Sequence, residues 1–123
     1  MNKVLMSIKP EYIERIFAST KKYEYRKTKT KVNIDKIIIY ATSPVKMVVG
    51  EVEVINIFVD TPLSIWNKTK DYSGTTKEYF DKYFKNSKYA IAYELGKFII
   101  YDKPKELKEL SIDKAPQSFI YIK

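Results

Sequence analysis

Residues 21–26 read Lys-Lys-Tyr-Glu-Tyr-Arg, and this segment, with Ser-Ile-Lys-Pro at residues 7–10, decides the fold that we expect. In a β-strand, successive side chains point to opposite faces, so Lys22, Glu24 and Arg26 share one face and the two tyrosines share the other. The tyrosines can then anchor the strand in a core, while the charged row faces a cleft or solvent. The pattern therefore predicts a strand that forms one wall of a site.

The residues before this segment predict a strand followed by a helix. Apolar residues over 4–8 indicate a short, buried first strand. Pro10 suits the first turn of a helix, where its missing N–H costs nothing. One apolar stripe follows, made of Tyr12, Ile13, Ile16 and Phe17. We therefore expect a core-facing helix that ends near Ser19-Thr20.

The middle of the chain predicts two further strands. Residues 36–41 indicate a buried strand, and residues 47–60 form the longest strand candidate. Its inward-facing set changes near Val54-Ile55, which implies a bulge there, with Gly50 as a second bend. Long bent strands of this kind are typical of small closed barrels.

The second half predicts helices and then strands. Thr61-Pro62 is a good start for a short helix through Trp66, and residues 75–78 fit a capping box. The next helix carries the stripe Tyr79, Phe80, Tyr83 and Phe84. We assign Tyr79, Phe80 and Phe84 mainly to the core. We expect a strand over 89–95 interrupted at Gly96 and resumed at 98–101, a helical turn within 104–110, and a final edge strand at 119–122. The order predicts one α+β domain over 1–123, a compact mixed or antiparallel β-barrel decorated by three or so short helices.

Composition limits the chemistry and the cellular location. The chain has 45% hydrophobic and 31% charged residues, which is ordinary for a globular protein, and it has no Cys and no His. Disulfides and Ser-His nucleophilic catalysis are excluded, and we expect no metal site and no cofactor. No apolar run approaches the roughly 20 residues that span a bilayer, and the first residues lack a signal-peptide core. We expect a cytoplasmic protein with no membrane partner.

Positive charge is concentrated in the first quarter. Residues 1–31 contain nine Lys/Arg and three Glu, and so carry +6 of the total +8. Such clustering favours a polyanionic partner such as RNA. The alternative is a solvated, lysine-rich surface.

Several segments in order give the chain a family resemblance. They are residues 7–10, residues 21–26, residues 40–46 leading to Val49-Gly50-Glu51, the Trp66 helix, and residues 116–119. Together they resemble ASCH domains, part of the PUA-like superfamily, over nearly the whole chain.

The resemblance implies a PUA-like β-barrel with a cleft beside the first helix, and a link to RNA binding or RNA metabolism. Some members are amidohydrolases that deacylate N4-acetylcytidine nucleosides with a Lys, a Thr and a Glu. The Lys corresponds to Lys21, and a later Arg of the motif corresponds to Arg26. Glu24 occupies the Thr position, and the nearest candidates for the family Glu are Asp71 and Glu78.

The charge pattern and the resemblance together indicate a set of candidate site residues. Lys21, Glu24 and Arg26 are expected to read a nucleotide, with Glu24 as an acceptor and Arg26 as a bidentate phosphate contact. The alternative for Lys21 and Arg26 is a surface ion pair with Glu24. The remaining candidates are Lys9 at the cleft, Lys27, Lys29 and Lys31 as phosphate contacts, Trp66, Tyr72 and Tyr83 as stacking platforms, and Gln117 and Ser118 beside the last strand.

Three functional hypotheses follow. The first is an RNA- or nucleotide-binding module with a basic cleft, acting in RNA metabolism or in regulating transcription or translation. The second is a metal-independent hydrolase of the amidohydrolase or ribonuclease type, with Lys21 and Glu24 as its catalytic pair. The third is a regulatory domain that binds a nucleotide-like small molecule. The sequence leaves turnover open, and the oligomeric state open between a monomer and a weak dimer.

Overall fold

A computed structural model describes residues 2–122, which form one mixed β-sheet and three α-helices. The strands are β1 (Lys3–Ile8), β2 (Tyr23–Arg26), β3 (Lys36–Ala41), β4 (Met47–Asp60), β5 (Ala90–Lys105) and β6 (Phe119–Ile122). The helices are α1 (Pro10–Phe17), α2 (Pro62–Thr69) and α3 (Lys77–Tyr83), and two short 3-10 turns cover Lys70–Tyr72 and Leu107–Leu110.

The sheet has the order β2-β5-β4-β3-β1-β6. β1 and β3 are parallel, and every other neighbouring pair is antiparallel. The sheet curls into a half-barrel that is covered by the helices, so the predicted α+β class is confirmed. β6 pairs with β1, as expected for a final edge strand.

β4 and β5 are the long, irregular pair that bends the sheet. Their register shifts between Val48 and Gly50, and again on both sides of Val54. The predicted bulges are therefore present at both places. The predicted interruption at Gly96 is wrong, because β5 runs continuously through it to Lys105 and the helical turn begins only at Leu107.

Two apolar clusters hold the site in place from opposite sides. The first lies between the sheet and α1, whose Ile13 and Ile16 are buried in it. The second lies under α2 and α3 and includes Tyr25 and Phe80, whose rings meet edge to face at 5.0 Å. β2 therefore contributes a side chain to the core that anchors α3 beside it.

The sequence predicts the start of α2 correctly but not that of α3. Thr61 caps α2 as expected, accepting from the backbone N–H of Ser64. The predicted capping box at residues 75–78 is wrong by one residue, because Thr76 caps α3 and accepts from the N–H of Tyr79. The hydroxyl of Thr75 is consequently not used as a cap. No helix among residues 2–122 has the length and apolar character needed to cross a bilayer.

Candidate functional site

A pocket of about 220 Å³ opens between α3 and the ends of β1 and β2. This volume is smaller than the roughly 300–1,000 Å³ of pockets that hold drug-sized ligands, so it suits a single ring system. The lining comes from five places in the chain. They are the end of β1 with Lys9, α1 through Tyr12, residues 21–26, residues 75–83, and Gln117 with Ser118.

The strand alternation predicted for residues 21–26 places two of its charged side chains in the pocket. Glu24 and Arg26 line it, and Tyr25 is buried in the cluster of Phe80. Lys22 does not join this row, because β2 begins only at Tyr23 and Lys22 lies exposed over the ring of Tyr72 at 4.3 Å. The row predicted as Lys22, Glu24 and Arg26 is therefore corrected to Lys21, Glu24 and Arg26.

Lys21 forms the floor of the pocket and is only 3% exposed. Its ammonium donates to the carbonyl of Ser73 at 2.8 Å and lies 3.7 Å from Oε1 of Glu24. It also lies 4.9 Å from the ring centroids of Tyr12 and Tyr25. These partners favour the charged form, but burial dominates and lowers the pKa of Lys21.

A turn at Gly74 allows Lys21 to be buried this closely. Gly74 has φ +68°, and a Cβ placed there would come within 2.4 Å of the Lys21 side chain. The turn also directs the Gly74 carbonyl towards Arg15, which donates to it at 2.7 Å. Glycine is therefore required here both for its backbone conformation and for the space that it leaves.

Arg26 connects several parts of the site, because its guanidinium donates hydrogen bonds mainly to other groups of the protein. Nη1 contacts Oε2 of Glu24 at 2.5 Å and the carbonyl of Tyr25 at 2.9 Å. Nη2 donates at 2.9 Å to the carbonyl of Ser7 on β1, which is not a neighbour of β2 in the sheet. Among residues 2–122, the buried Nε has no hydrogen-bond partner. Arg26 thus orients Glu24 and joins two separate parts of the curled sheet.

The structure brings some of the other predicted site residues to the pocket. Lys9, Tyr83, Gln117 and Ser118 line it. Lys27 lies at its edge, with the ammonium 4.9 Å from the ring of the lining residue Tyr83. The predicted basic contact is therefore placed beside the pocket rather than inside it.

The remaining candidates lie elsewhere. Trp66 packs against Phe80 at 5.0 Å in the second cluster. The exposed residues Lys29, Lys31, Tyr72, Asp71 and Glu78 do not line the pocket. The structure therefore brings neither predicted carboxylate, Asp71 nor Glu78, to Lys21 as a second acidic group.

The pocket residues that the sequence did not reveal include Tyr12, Thr75 and Tyr79. The hydroxyls of Tyr12 and Thr75 lie 3.2 Å apart, and the rings of Tyr12 and Tyr79 meet edge to face at 6.0 Å. Tyr79 was assigned to the core but is 39% exposed. The adjacent threonines 75 and 76 were the available signal, because a helix start uses only one of them as its cap.

The pocket contains acceptors, donors and aromatic rings, and among residues 2–122 its lining includes one carboxylate, that of Glu24. Within residues 2–122, no group of three or more acidic side chains is arranged to hold a metal ion. What the arrangement offers is one buried carboxylate held between two cations, a hydroxyl pair, and the rings of four tyrosines. Such a site can accept a hydrogen bond from a flat polar ligand and stack against it.

Comparisons with known proteins identify the fold and the family. A family model described as "ASCH domain" matches residues 6–101. The chain is 34% identical over 122 residues to "ATP synthase subunit alpha" and 30% identical over 121 residues to "Large ribosomal subunit protein uL22", both of Ureaplasma parvum. Each match covers 98% of this chain, but only 15% and 39% of those two proteins. The chain thus spans less than half the length of these curated relatives.

A solved structure shows the same fold. The crystal structure of ASCH from Zymomonas mobilis superposes with a TM-score of 0.89 at 24% identity, covering 98% of this chain and 87% of that one. The resemblance found in the sequence, and the fold expected from it, are both confirmed.

The buried position of Lys21 leads to a prediction about its titration. The folded protein holds the ammonium proton of Lys21 more weakly than the unfolded chain does. The pKa of Lys21 should therefore lie below its usual value of 10.5. Its contribution to the free energy of unfolding should then rise with pH between the lowered value and 10.5. An NMR titration of the lysine Cε–Hε signals, with Lys21→Met to assign the resonance, measures this. A Lys21 signal that titrates at or above 10.5 would contradict the expected burial.

Proposed function

The chain belongs to the ASCH domain family, and from that premise we propose that its pocket binds one nucleobase of RNA or of a nucleotide. The observation that carries the proposal is the pocket itself, in which a buried Lys21–Glu24–Arg26 cluster faces the rings of Tyr12, Tyr79 and Tyr83. The PUA-like fold is often linked to RNA binding, which agrees with this chemistry. A cellular role in RNA metabolism, or in the regulation of transcription or translation, belongs to the same proposal.

Glu24 gives the pocket a means of recognising a base edge. Its Oε2 is occupied by Arg26, whereas Oε1 lies 3.7 Å from Lys21, beyond hydrogen-bond distance. Oε1 can therefore accept a hydrogen bond from an N–H group of a base. Arg26 acts in this scheme by positioning the carboxylate, since its own donors are directed mainly at the protein.

Aromatic rings and positive charge supply the rest of the affinity. Stacking of a base on an aromatic side chain contributes about 1–3 kcal/mol. The net charge of +8 attracts the phosphate backbone, and this contribution weakens as salt increases. The names of the curated relatives, a ribosomal protein and an ATP synthase subunit, differ too much to define the ligand, so the proposal depends on the pocket.

Replacing the pocket carboxylate tests the binding proposal. Glu24→Gln keeps the shape but removes the charged acceptor, and a hydrogen bond to a charged group contributes about 1.5–3 kcal/mol. We expect affinity for labelled single-stranded RNA heptamers, measured by fluorescence anisotropy at 50 mM salt, to fall about 10- to 100-fold. Thermal unfolding of the variant should be recorded in parallel, because the change leaves two cations without their carboxylate.

Glu51→Gln is the matched control. Glu51 also pairs with a lysine, Lys36, and accepts from Tyr101 at 2.9 Å, but it lies outside the pocket. Its replacement should leave RNA affinity unchanged. Undetectable binding by the wild-type protein to every heptamer, or equal effects of the two substitutions, would refute the proposal.

A second candidate function is hydrolysis of a modified nucleoside or of RNA, and one observation favours it. Lys21, Glu24 and Thr75 line the same pocket, so the Lys, the carboxylate and the hydroxyl used by the family's amidohydrolases are all present. Here the hydroxyl belongs to Thr75 and the carboxylate to Glu24. The resemblance instead aligns Glu24 with the family Thr, and the nearest candidates for the family Glu are Asp71 and Glu78. In deacylation, water would add to the acyl carbonyl, the C–N bond would break, and a proton would pass to the departing amine.

Activity assays decide whether turnover occurs. Wild-type protein, Lys21→Met and Thr75→Val should be assayed with N4-acetylcytidine and with single-stranded RNA, following product by chromatography. Loss of a group that transfers protons is expected to slow the reaction about 10²- to 10⁴-fold. Thr28→Val, at an exposed loop threonine outside the pocket, should retain the wild-type rate. Absence of product, or equal rates in all variants, would exclude the enzyme.

A further inference from the structure

We propose that the pocket takes an internal residue of single-stranded RNA and holds its two flanking phosphates with two lysine–tyrosine pairs, Lys9–Tyr79 and Lys27–Tyr83. This inference rests on the proposed RNA-binding function and specifies which form of RNA the site accepts. It is carried by the placement of these pairs along one wall of the pocket.

The first pair is fixed by two contacts. Lys9 follows β1 directly, and its ammonium donates to the hydroxyl of Tyr79 at 3.0 Å while lying 5.1 Å from the ring centroid. This hydrogen bond raises the pKa of Lys9, so its positive charge is retained. The side chain is exposed, and its charge is therefore available to a phosphate at the pocket mouth.

The second pair has the same chemistry on a different strand. Lys27 follows β2 directly, and its ammonium lies 4.9 Å from the ring centroid of Tyr83. Lys27 is also exposed, and Tyr83 lines the pocket. A cation that rests on an aromatic ring is partly ordered before a ligand arrives, which lowers the entropic cost of contacting a phosphate.

The spacing of the tyrosines sets the two cations apart along the wall. Tyr79 and Tyr83 are four residues apart in α3, so they lie on one face with Cβ atoms about 5–6 Å apart. Lys9 reaches the Tyr79 end from β1, and Lys27 reaches the Tyr83 end from β2. An RNA strand whose base enters the pocket between Tyr79 and Tyr83 would place one flanking phosphate near each lysine.

The pocket floor keeps phosphates outside. Glu24 is 3% exposed, and the two cations beside it, Lys21 and Arg26, already donate to protein groups, which leaves a phosphate few donors there. The neutral base therefore goes in, and the backbone stays at the mouth on both sides. A base held in this way cannot also be paired, so duplex RNA is disfavoured.

The chain contains a matched control for this arrangement. The ammonium of Lys22 lies 4.3 Å from the ring centroid of Tyr72, and Lys22 is exposed like the two lysines of the proposed clamp. Neither residue lines the pocket. Lys22→Ala therefore removes an equivalent lysine–tyrosine pair, and one positive charge, without touching the site.

The test measures binding of single-stranded RNA heptamers against salt for wild-type protein, Lys9→Ala, Lys27→Ala, the double variant and Lys22→Ala. Each phosphate contact to a single strand contributes about 0.7 to the slope of log K against log salt. Lys9→Ala and Lys27→Ala should each lower the slope by about 0.7, the double variant should lower it by about 1.4, and Lys22→Ala should leave it unchanged. A nucleoside monophosphate should bind more weakly than the heptamer and should lose affinity in at most one of the single variants.

Several results would overturn the clamp. Unchanged slopes in the Lys9 and Lys27 variants, or an equal loss in Lys22→Ala, would show that these lysines do not hold phosphates at the site. A nucleoside monophosphate that binds as tightly as the heptamer would also overturn it. If Glu24→Gln still weakens binding in those cases, the proposed function survives and only the clamp fails. If the wild-type protein binds no RNA, both the proposed function and the clamp are refuted.

Discussion

The interaction on which the rest of this structure depends is the contact of the Arg26 guanidinium with Glu24 and with the carbonyl of Ser7. β2 and β1 are separated in the sheet by three other strands, yet Arg26 brings them together across the open side of the half-barrel. The same side chain orients the carboxylate that faces the pocket. Burying charges is costly unless they are paired and hydrogen-bonded; here Glu24 lies between the two cations, and Lys21 and Arg26 also donate to backbone carbonyls. The shape of the pocket and its chemistry therefore have one physical origin.

Much of the fold could be predicted because it depends on local patterns. The alternation of residues 23–26, the phase change near Val54 and the cap at Thr61 each act through near neighbours, and all three are present in the structure. The continuous β5 could not be predicted, because Gly96 breaks the apolar pattern, whereas the residues on both sides of it, Leu95 and Phe98, still pair with β4. Long-range pairing decided that segment, and a single sequence does not contain it.

The site was predicted less completely, also for physical reasons. The sequence placed Glu24 and Arg26 on one face, but it could not show that Arg26 directs its donors at Ser7, which is distant in the chain. Tyr79 was assigned to the core because an aromatic stripe at helical spacing usually packs inward, although this residue lies at the edge of the stripe. Thr75 was missed because the cap was placed one residue early. The contacts that bring Tyr79 and Thr75 to the pocket, with Lys9 and with Tyr12, join elements that are far apart in sequence.

Binding and hydrolysis place the ligand in the same pocket, so the most direct test locates the ligand. An NMR titration of isotopically labelled protein with single-stranded RNA heptamers would report perturbed signals residue by residue. The account predicts that the largest changes occur at Lys21, Glu24 and the rings of Tyr12, Tyr79 and Tyr83, while Lys29 and Lys31 change little. Changes concentrated at Lys29 and Lys31, with the pocket signals unperturbed, would contradict it.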